Sequence, residues 1–443
     1  LQSARTNKEK LIRYNYLAKE DMFDAHSYQK GGRVLHMLRK YLGDEAFFDG
    51  LNLYLKRNEY KSVEIHQLRL ALEEISGEDL NWFFNQWFFM AGHPEMEVDY
   101  NYIDSSNFVK LTISQTQEGK NIPRVFELST NVELVNADGK RQIIPITINK
   151  RSQVFEFPAE SKPLFVKLDA NNDLLAEINQ DITPQEACAL FMYGENYLDR
   201  LEALEIVGSK SDSIYLDIIE SALVDPFWNI RRKALLETSK LAVLRSESSF
   251  TKVKSLVKDE NSKVRAAAFE ALSNYYDQQI EIKDLEIGLH DSSFLVVSSA
   301  LESIYYLDQK EGIKAAESLM NEENIDLILS LSILFADDGN PKYASYYQAN
   351  ALKLDQYARY SFIVAYGEYL EKQDDYIIKE HLNTLELLGS EDELWWNRLS
   401  VASNISRLKN KYAELNTLIK KQMIEETDQA SICLLYTSDA ADE

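Results

Sequence analysis

The hydrophobic pattern changes its period within residues 80–98, which read LNWFFNQWFFMAGHPEMEV. Up to Phe89 the apolar residues recur every three or four positions, which is typical of a helix buried over much of its circumference. Pro94 ends this pattern because it lacks an amide donor and blocks the helical turn before it. From Met96 to Tyr100 apolar and polar residues alternate, which indicates a strand. The chain therefore passes here from a helical region into a β region.

Two amphipathic helices are predicted upstream of this point. The first ends near Gly43, and the second is expected to begin at Ser62 as its N-cap and to end at Gly77. Their apolar faces consist of Val34, Leu35, Leu38, Tyr41 and Leu42 in the first helix, and Ile65, Leu68, Leu72 and Ile75 in the second. This spacing predicts that each helix buries one side.

Short strands are predicted downstream, without any helical pattern between them. They cover residues 96–100, 109–113, 125–135, 142–148, 154–157 and 164–168. Turn-forming clusters, such as residues 118–120 and 136–140, separate them. Six short strands in succession favour a small antiparallel β-sandwich.

A repeat follows from Thr183 onward. Its acidic positions are separated by 34, 32 and 32 residues and consist of Asp225, Asp259, Asp291 and Glu323. An aliphatic residue follows each acid by five positions (Ile230, Val264, Val296, Ile328), a small one by nine (Ala234, Ala268, Ala300, Ser332) and a larger apolar one by ten (Leu235, Phe269, Leu301, Ile333). A weaker fifth copy is expected at Asp355, with Tyr360 and Val364. The pattern resembles a HEAT or armadillo-like solenoid of helix pairs, with each acid near the start of the second helix.

Composition narrows the possible functions. The chain has 443 residues and a formal net charge of −24, which argues against nucleic acid as a partner. Its longest apolar stretch, residues 327–336, is too short for a transmembrane helix, which needs about 20 residues. Cys188 and Cys433 lie too far apart to indicate a disulfide framework or a cysteine zinc site. Such scarce cysteine fits either the cytoplasm or a bacterial periplasm.

The sequence lacks most motifs that carry enzyme chemistry. Its six histidines include no His-Glu-x-x-His pattern, and neither a phosphate-binding glycine loop nor a Gly-x-Ser-x-Gly elbow occurs. One informative segment is DAHSYQKGGRVL at residues 24–35. Tyr28 stands there at the start of an amphipathic helix, before two glycines expected to admit a close neighbour. A protonated phenol in that place can donate a hydrogen bond to a tetrahedral oxyanion.

Three sequence motifs occur together with this order of a helical region, a β region and a repeat region. They are SYQKGG at residues 27–32, GDEAFF at 43–48, and WFFNQW at 82–87 followed by GHP at 92–94. The combination resembles the aminopeptidase N family of zinc metallo-aminopeptidases, which are gluzincins. The resemblance extends over nearly the whole chain, because that family also has a helical catalytic domain, a small β-sandwich and a large domain of HEAT-like repeats in this order.

The resemblance implies a multi-domain, mainly α fold. Residues 1–94 would be the C-terminal helical part of a thermolysin-like catalytic domain, 95–180 an antiparallel β-sandwich, and 181–429 a HEAT/armadillo-like α-solenoid. Residues 430–443 carry no helical stripe and are interpreted as either a frayed tail or non-native read-through.

Tyr28 occupies the place of the family's catalytic tyrosine, which stabilises the gem-diolate formed during peptide hydrolysis. The alternative is that Tyr28 only packs at a helix start. The family's His-Glu-x-x-His, its downstream Glu and its Gly-x-Met-Glu-Asn strand precede that tyrosine, and residues 1–27 contain none of them. We therefore expect a C-terminal fragment, inactive alone, whose zinc ligands lie upstream.

Two function classes remain. The first is a zinc-dependent aminopeptidase acting on peptide substrates, with Tyr28 as oxyanion stabiliser and the solenoid limiting access to the cleft. The second is a non-catalytic scaffold that binds a protein partner through an aminopeptidase-like shell and HEAT-like repeats.

Other candidate residues have structural alternatives. For His26 a surface or packing role is favoured over a position in the cleft, and His93 is interpreted as a turn residue. The adjacent acids Glu73-Glu74 and Asp374-Asp375 point to different helix faces and are not expected to form a catalytic dyad. Arg231, Arg232 and Arg265 are expected to pair with the preceding repeat acids rather than to bind a peptide carboxylate.

Overall fold

The computed structural model describes residues 9–17, 19–209, 215–240, 246–275, 280–354, 356–390 and 392–408. The chain divides into two compact units, Leu1–Ile206 and Val207–Glu443. In the described ranges no helix has the length and apolar character needed to cross a membrane. Asp355, Cys433 and the tail at 430–443 lie outside these ranges.

The first unit begins with four α-helices. They are α1 (Gly31–Leu42), α2 (Asp44–Arg57), α3 (Ile65–Ser76) and α4 (Asn81–Trp87). Gly43 ends α1 with a φ of 80°, a conformation that favours glycine. The predicted cap of α3 is wrong: its N-cap is Glu64 rather than Ser62, because the Gln67 side chain accepts the Glu64 N–H at 2.8 Å.

Two β-sheets follow. Their strands are β1 (Glu95–Ile103), β2 (Phe108–Gln115), β3 (Leu128–Val135), β4 (Arg141–Ile148), β5 (Ser152–Pro158), β6 (Phe165–Leu168) and β7 (Glu177–Gln180). The strand orders are β5-β2-β1-β7 and β4-β3-β6. β7 was not predicted, since its four residues do not alternate between buried and exposed. It runs parallel to β1, so the prediction that the sheets are antiparallel is wrong for this strand.

One hydrophobic cluster joins the helices and both sheets of this unit. It includes Phe84 and Trp87 from α4, Leu111 from the first sheet, and Val132 and Ile148 from the second, all at most 1% exposed. The aromatic run at residues 82–89 therefore supplies core residues, as its helical spacing predicted. Two helices continue the chain, α5 (Pro184–Tyr193) and α6 (Tyr197–Ser209), and α5 packs against β6.

The second unit is built from pairs of helices. They are α7 (Leu216–Ala222), α8 (Trp228–Lys240), α9 (Glu247–Leu256), α10 (Ser262–Leu272), α11 (Ile282–Glu286), α12 (Phe294–Leu307), α13 (Gln309–Ser318), α14 (Ile325–Asp338), α15 (Ala344–Ala351), α16 (Gln356–Glu371), α17 (Asp375–Ser390) and α18 (Trp395–Leu408). The second helix of each pair packs on its counterpart in the next pair, from α8 through α18. The coarse expectation of a mainly helical chain with a small β part is confirmed.

The predicted repeat positions are buried, with one exception. All four small residues are fully buried, and the aliphatic positions are at most 3% exposed. Leu235, Phe269 and Leu301 are also buried, but the prediction for Ile333 is wrong, since it is 58% exposed. The buried face of α14 contains Leu331 and Phe335, which turns Ile333 to solvent.

The repeat acids and arginines form an inter-repeat ladder. The side chains of Asp225, Asp259 and Asp291 each accept the backbone N–H two residues later, at 2.8 to 2.9 Å. Arg231 donates to Asp259 at 2.8 and 2.9 Å, and Arg265 donates to Asp291 at 2.7 Å twice. The expected pairing with the preceding acid is therefore wrong. Each arginine pairs with the acid of the following repeat, and the preceding acid contributes only its backbone carbonyl.

The later repeats have a different register from the predicted one. Arg359 donates to the Leu354 carbonyl at 2.6 Å and to the side chain of Asp392. Compared with the same contacts of Arg231 and Arg265, those of Arg359 place the start of its repeat two residues before the predicted Asp355. Phe362 and Ile363, both fully buried, therefore fill the interior positions, while Tyr360 and Val364 are only partly buried. Asp392 accepts the Leu394 N–H at 2.9 Å and is a repeat acid that the spacing did not reveal.

Candidate functional site

Tyr28 lies in a π-helical turn, His26–Lys30, that continues directly into α1. Its backbone N–H donates to the Asp24 carbonyl at 3.2 Å. The side chain is 61% exposed, and the Phe23 ring lies 6.0 Å away between centroids. Among the residues that the structure describes, none hydrogen-bonds to its hydroxyl. The ring is therefore not part of the hydrophobic core.

Asp24 fixes the turn that carries Tyr28. It accepts hydrogen bonds from the Arg13 guanidinium at 2.7 and 3.0 Å and from the Ser27 N–H at 2.9 Å. Arg13 also donates to the Ser27 hydroxyl at 3.2 Å. Partial burial opposes ionisation of Asp24, but these hydrogen bonds outweigh it and hold the pKa of Asp24 well below its usual range. The carboxylate is thus charged at neutral pH.

His26 packs beneath the same turn and does not face an open surface, since it is 4% exposed. Its Nε2 accepts the Glu9 N–H at 3.3 Å, and its Nδ1 lies 3.2 Å from an Asp24 oxygen. Because Nε2 accepts a hydrogen bond, the ring N–H lies on Nδ1 and donates a hydrogen bond to the Asp24 carboxylate.

Lys30 is a second buried anchor. It is 5% exposed, and its Nζ donates to the Glu9 carbonyl at 3.0 Å. Burial lowers the pKa of Lys30 to about 8. Among the described residues, no close neighbour of the adjacent glycines is found, since a Cβ on Gly31 would make only ordinary contacts and one on Gly32 would meet nothing within 4 Å.

Three further candidates, His93, Glu73 and Glu74, have structural partners. His93 is 3% exposed, and its Nε2 lies 3.1 Å from Glu177 in β7. Glu73 accepts from Arg69 at 2.6 Å, whereas Glu74 accepts from Arg57 at 2.6 Å. The two adjacent glutamates thus form ion pairs with different arginines, in agreement with the prediction that they form no catalytic dyad.

A protein-bound zinc ion needs three or four converging ligand side chains. In residues 9–408, apart from the short gaps between the described ranges, no three His, Cys, Asp or Glu side chains converge in a group able to hold one. These residues therefore do not fit a catalytic zinc ion.

The network around Tyr28 was largely missed by sequence reasoning. Asp24 and Ser27 have the three-residue spacing of a helix-start signal, which could have identified the turn. Arg13 has no comparable local signal, because it reaches Asp24 through the folded course of the preceding segment.

Part of the chain matches a known family. Residues 6–87 match the model of the Peptidase family M1 domain. The chain is 24% identical to Aminopeptidase N of Haemophilus influenzae over 211 residues, and this alignment covers 45% of the chain and 24% of that protein. It is 46% identical to Aminopeptidase N of Lactococcus lactis subsp. cremoris over 74 residues, and this alignment covers 16% of the chain and 9% of that protein. The chain thus spans a quarter or less of these curated relatives, and the predicted resemblance to the aminopeptidase N family is confirmed.

A solved structure resembles the chain over nearly its whole length. The crystal structure of Legionella pneumophila aminopeptidase A in complex with aspartic acid matches with a TM-score of 0.62, covering 99% of this chain and 59% of that one. The identity is 13%, so this match shows a common fold.

Proposed function

We propose that this chain is the C-terminal portion of a zinc-dependent aminopeptidase that removes N-terminal residues from peptides. The observation that carries the proposal is the placement of Tyr28. Its exposed phenol stands on a turn fixed by Asp24 and Arg13, within the segment that matches the Peptidase family M1 domain. A core-packing tyrosine would instead bury its ring.

Tyr28 is proposed as the oxyanion stabiliser of this enzyme. Its hydroxyl donates a hydrogen bond to the oxygen that becomes negative when the peptide carbonyl turns tetrahedral, and the phenol keeps its proton throughout. Asp24, Arg13 and His26 are proposed as positioning residues, because their hydrogen bonds hold the turn that carries Tyr28. In the family that the chain resembles, zinc bound upstream of the tyrosine supplies an activated water.

The finer architecture belongs to the same proposal. We interpret the two sheets as the β-sandwich at residues 95–180 and the helix pairs as HEAT-like repeats within 181–429. Support for the repeats comes from the stacked second helices and from the ladder of Arg231, Asp259, Arg265 and Asp291. We propose that this repeat region limits the size of peptides that reach the catalytic cleft.

The test replaces Tyr28 with phenylalanine in the complete gene product that contains this chain. We expect kcat for an aminoacyl-p-nitroanilide to fall about 100-fold or more while KM changes little, because a single oxyanion donor contributes about that much. Tyr60→Phe is the matched control, since Tyr60 is fully exposed between α2 and α3.

Equal kcat values for the Tyr28→Phe and unaltered enzymes would remove Tyr28 from the catalytic machinery. Absence of both zinc and hydrolysis in the unaltered gene product would instead favour the scaffold alternative.

A further inference from the structure

The first residues of β3 have a neighbouring strand on one side only. β4 pairs with β3 from Leu128 to Val135, whereas β6 pairs with it only from Val132 onward. The chain after β6 leaves the sheet at Asp169, where φ is 60°. One edge of β3, from Leu128 to Asn131, therefore has no strand beside it.

Hydrogen bonds next to this edge show which main-chain groups point outward. The Lys140 carbonyl accepts the Asn136 N–H at 2.9 Å, and this hydrogen bond continues the β3–β4 ladder. Because hydrogen-bonded pairs alternate along an antiparallel ladder, the even-numbered residues of β3 direct their N–H and C=O groups toward β4. The Asn131 carbonyl accepts the Asp169 N–H at 2.9 Å. The odd-numbered residues, including Ser129, therefore direct their N–H and C=O groups toward the open side.

Half of the outward groups along this edge have partners. The Gln86 side chain, from α4, accepts the Glu127 N–H at 2.7 Å and donates to the Glu127 carbonyl at 3.0 Å. The Asn131 carbonyl accepts the Asp169 N–H, as described above. Within the described ranges, no partner is found for the outward N–H and C=O of Ser129 or for the N–H of Asn131. Ser129 thus keeps both a donor and an acceptor open on this side of the strand.

A cavity of about 510 Å³ lies beside this edge, between α1, α4 and the second sheet. This volume is in the usual range of ligand sites, about 300–1,000 Å³. Tyr41 and Trp82 form an edge-to-face pair in its wall, with centroids 5.5 Å apart. Trp87 also lines the cavity, and its buried indole N–H has no partner among the described residues. Ser129 and Asn131 lie on the polar side.

Two charged groups that line the cavity are paired, since Asp173 lies 3.7 Å from the Nζ of Lys40 and also 2.8 Å from the Nε2 of His36. Glu127 lines the cavity as well, and it has no ion pair among the described residues. Besides this carboxylate, the cavity offers main-chain groups and aromatic surfaces to a ligand.

We propose that this cavity binds a short extended peptide segment by main-chain pairing with Ser129. One residue of the segment accepts the Ser129 N–H and donates its own N–H to the Ser129 carbonyl, as in an antiparallel pair. A neighbouring apolar side chain of the segment packs against Tyr41 and Trp82. This site differs from the one around Tyr28 and is independent of the proposed peptidase activity.

The probe is N-acetyl-leucyl-phenylalanine methylamide, titrated into the 443-residue chain and followed by tryptophan fluorescence. Both ends are blocked, so the peptide offers no free amine to an aminopeptidase. The comparison peptide carries methyl groups on the leucine and phenylalanine amide nitrogens. We expect saturable binding of the first peptide and at least tenfold weaker binding of the second, because methylation removes the N–H that pairs with Ser129.

Two variants locate the site. Ser129→Pro removes the outward N–H and leaves the ladder to β4 intact, and Tyr41→Ala removes part of the aromatic wall. Each is expected to weaken binding at least tenfold, whereas Tyr60→Ala, at a fully exposed tyrosine outside the cavity, leaves it unchanged. Circular dichroism checks that each variant is folded. If Ser129→Pro does not fold, Tyr41→Ala still tests the site.

Three results would overturn the proposal. They are no saturable binding by the unaltered chain, equal affinity for the methylated peptide, and unchanged affinity in the folded variants. Concentration-dependent dimerisation that Ser129→Pro abolishes, without peptide binding, would assign the open edge to a second copy of the chain instead.

Discussion

Tyr28 and His381 are polar side chains in opposite surroundings, since Tyr28 is 61% exposed and His381 is 1% exposed. An exposed phenol can meet a substrate, whereas a buried imidazole must be satisfied inside the protein. The Tyr366 hydroxyl shares a hydrogen bond with the Nδ1 of His381. Burial lowers the pKa of His381 to about 4, so its ring is neutral at pH 7.

The depressed pKa of His381 makes stability depend on pH. The unfolded chain protonates this histidine near pH 6.5, while the folded chain resists protonation down to about pH 4, so acid favours unfolding in that window. We expect the free energy of unfolding to be about 2 kcal/mol lower at pH 5 than at pH 7.5 from this group alone. His381→Asn should flatten the pH dependence measured by urea unfolding, and His290→Asn should not. An unchanged slope in His381→Asn would assign the effect to other groups.

The elements differ in how far the sequence predicts them. Gly43 and Pro94 end helical patterns through backbone effects that act locally, so their positions could be predicted. β7 could not, because its four residues pair with β1 only after the intervening strands have folded. Ile333 shares its spacing with Leu301, yet the orientation of α14 depends on its neighbours. Tyr28 could be singled out by its motif, but the contact from Arg13 to Asp24 depends on tertiary structure.

The ladder between repeats gives an element-level prediction. Arg231 and Asp259 are 10% and 7% exposed, whereas Arg57 and Glu74 form an exposed pair at 50% and 53%. Removing one partner of a buried pair leaves the other charge desolvated, which costs about 3–5 kcal/mol. We expect Arg231→Met to cost this much in chemical unfolding, and Arg57→Met to cost far less, because solvent screens an exposed ion pair. Similar costs for both would show that the ladder does not stabilise the repeats.

At the scale of the whole molecule, one of the described hydrophobic clusters lies within the first compact unit and another lies within the second. Phe84 belongs to the cluster of the first unit, and Phe335 belongs to a cluster of the second, where it stacks on Tyr343 at 4.0 Å between centroids. Both phenylalanines are at most 1% exposed. Burial of apolar surface is the main source of folding free energy, so we expect the region around each cluster to unfold as its own cooperative step.

Calorimetry of single core variants tests this independence. Phe84→Ala and Phe335→Ala should each cost about 3–5 kcal/mol through lost burial and a residual cavity. Because the two residues lie in different clusters, each substitution should lower one of two thermal transitions and leave the other within about 1 °C. Phe48→Ala, at a half-exposed phenylalanine of α2, serves as the control and should move neither by more than about 2 °C. If both core variants lowered a single shared transition, the units would fold as one cooperative body, and a change near Tyr28 would then also affect the helical repeats.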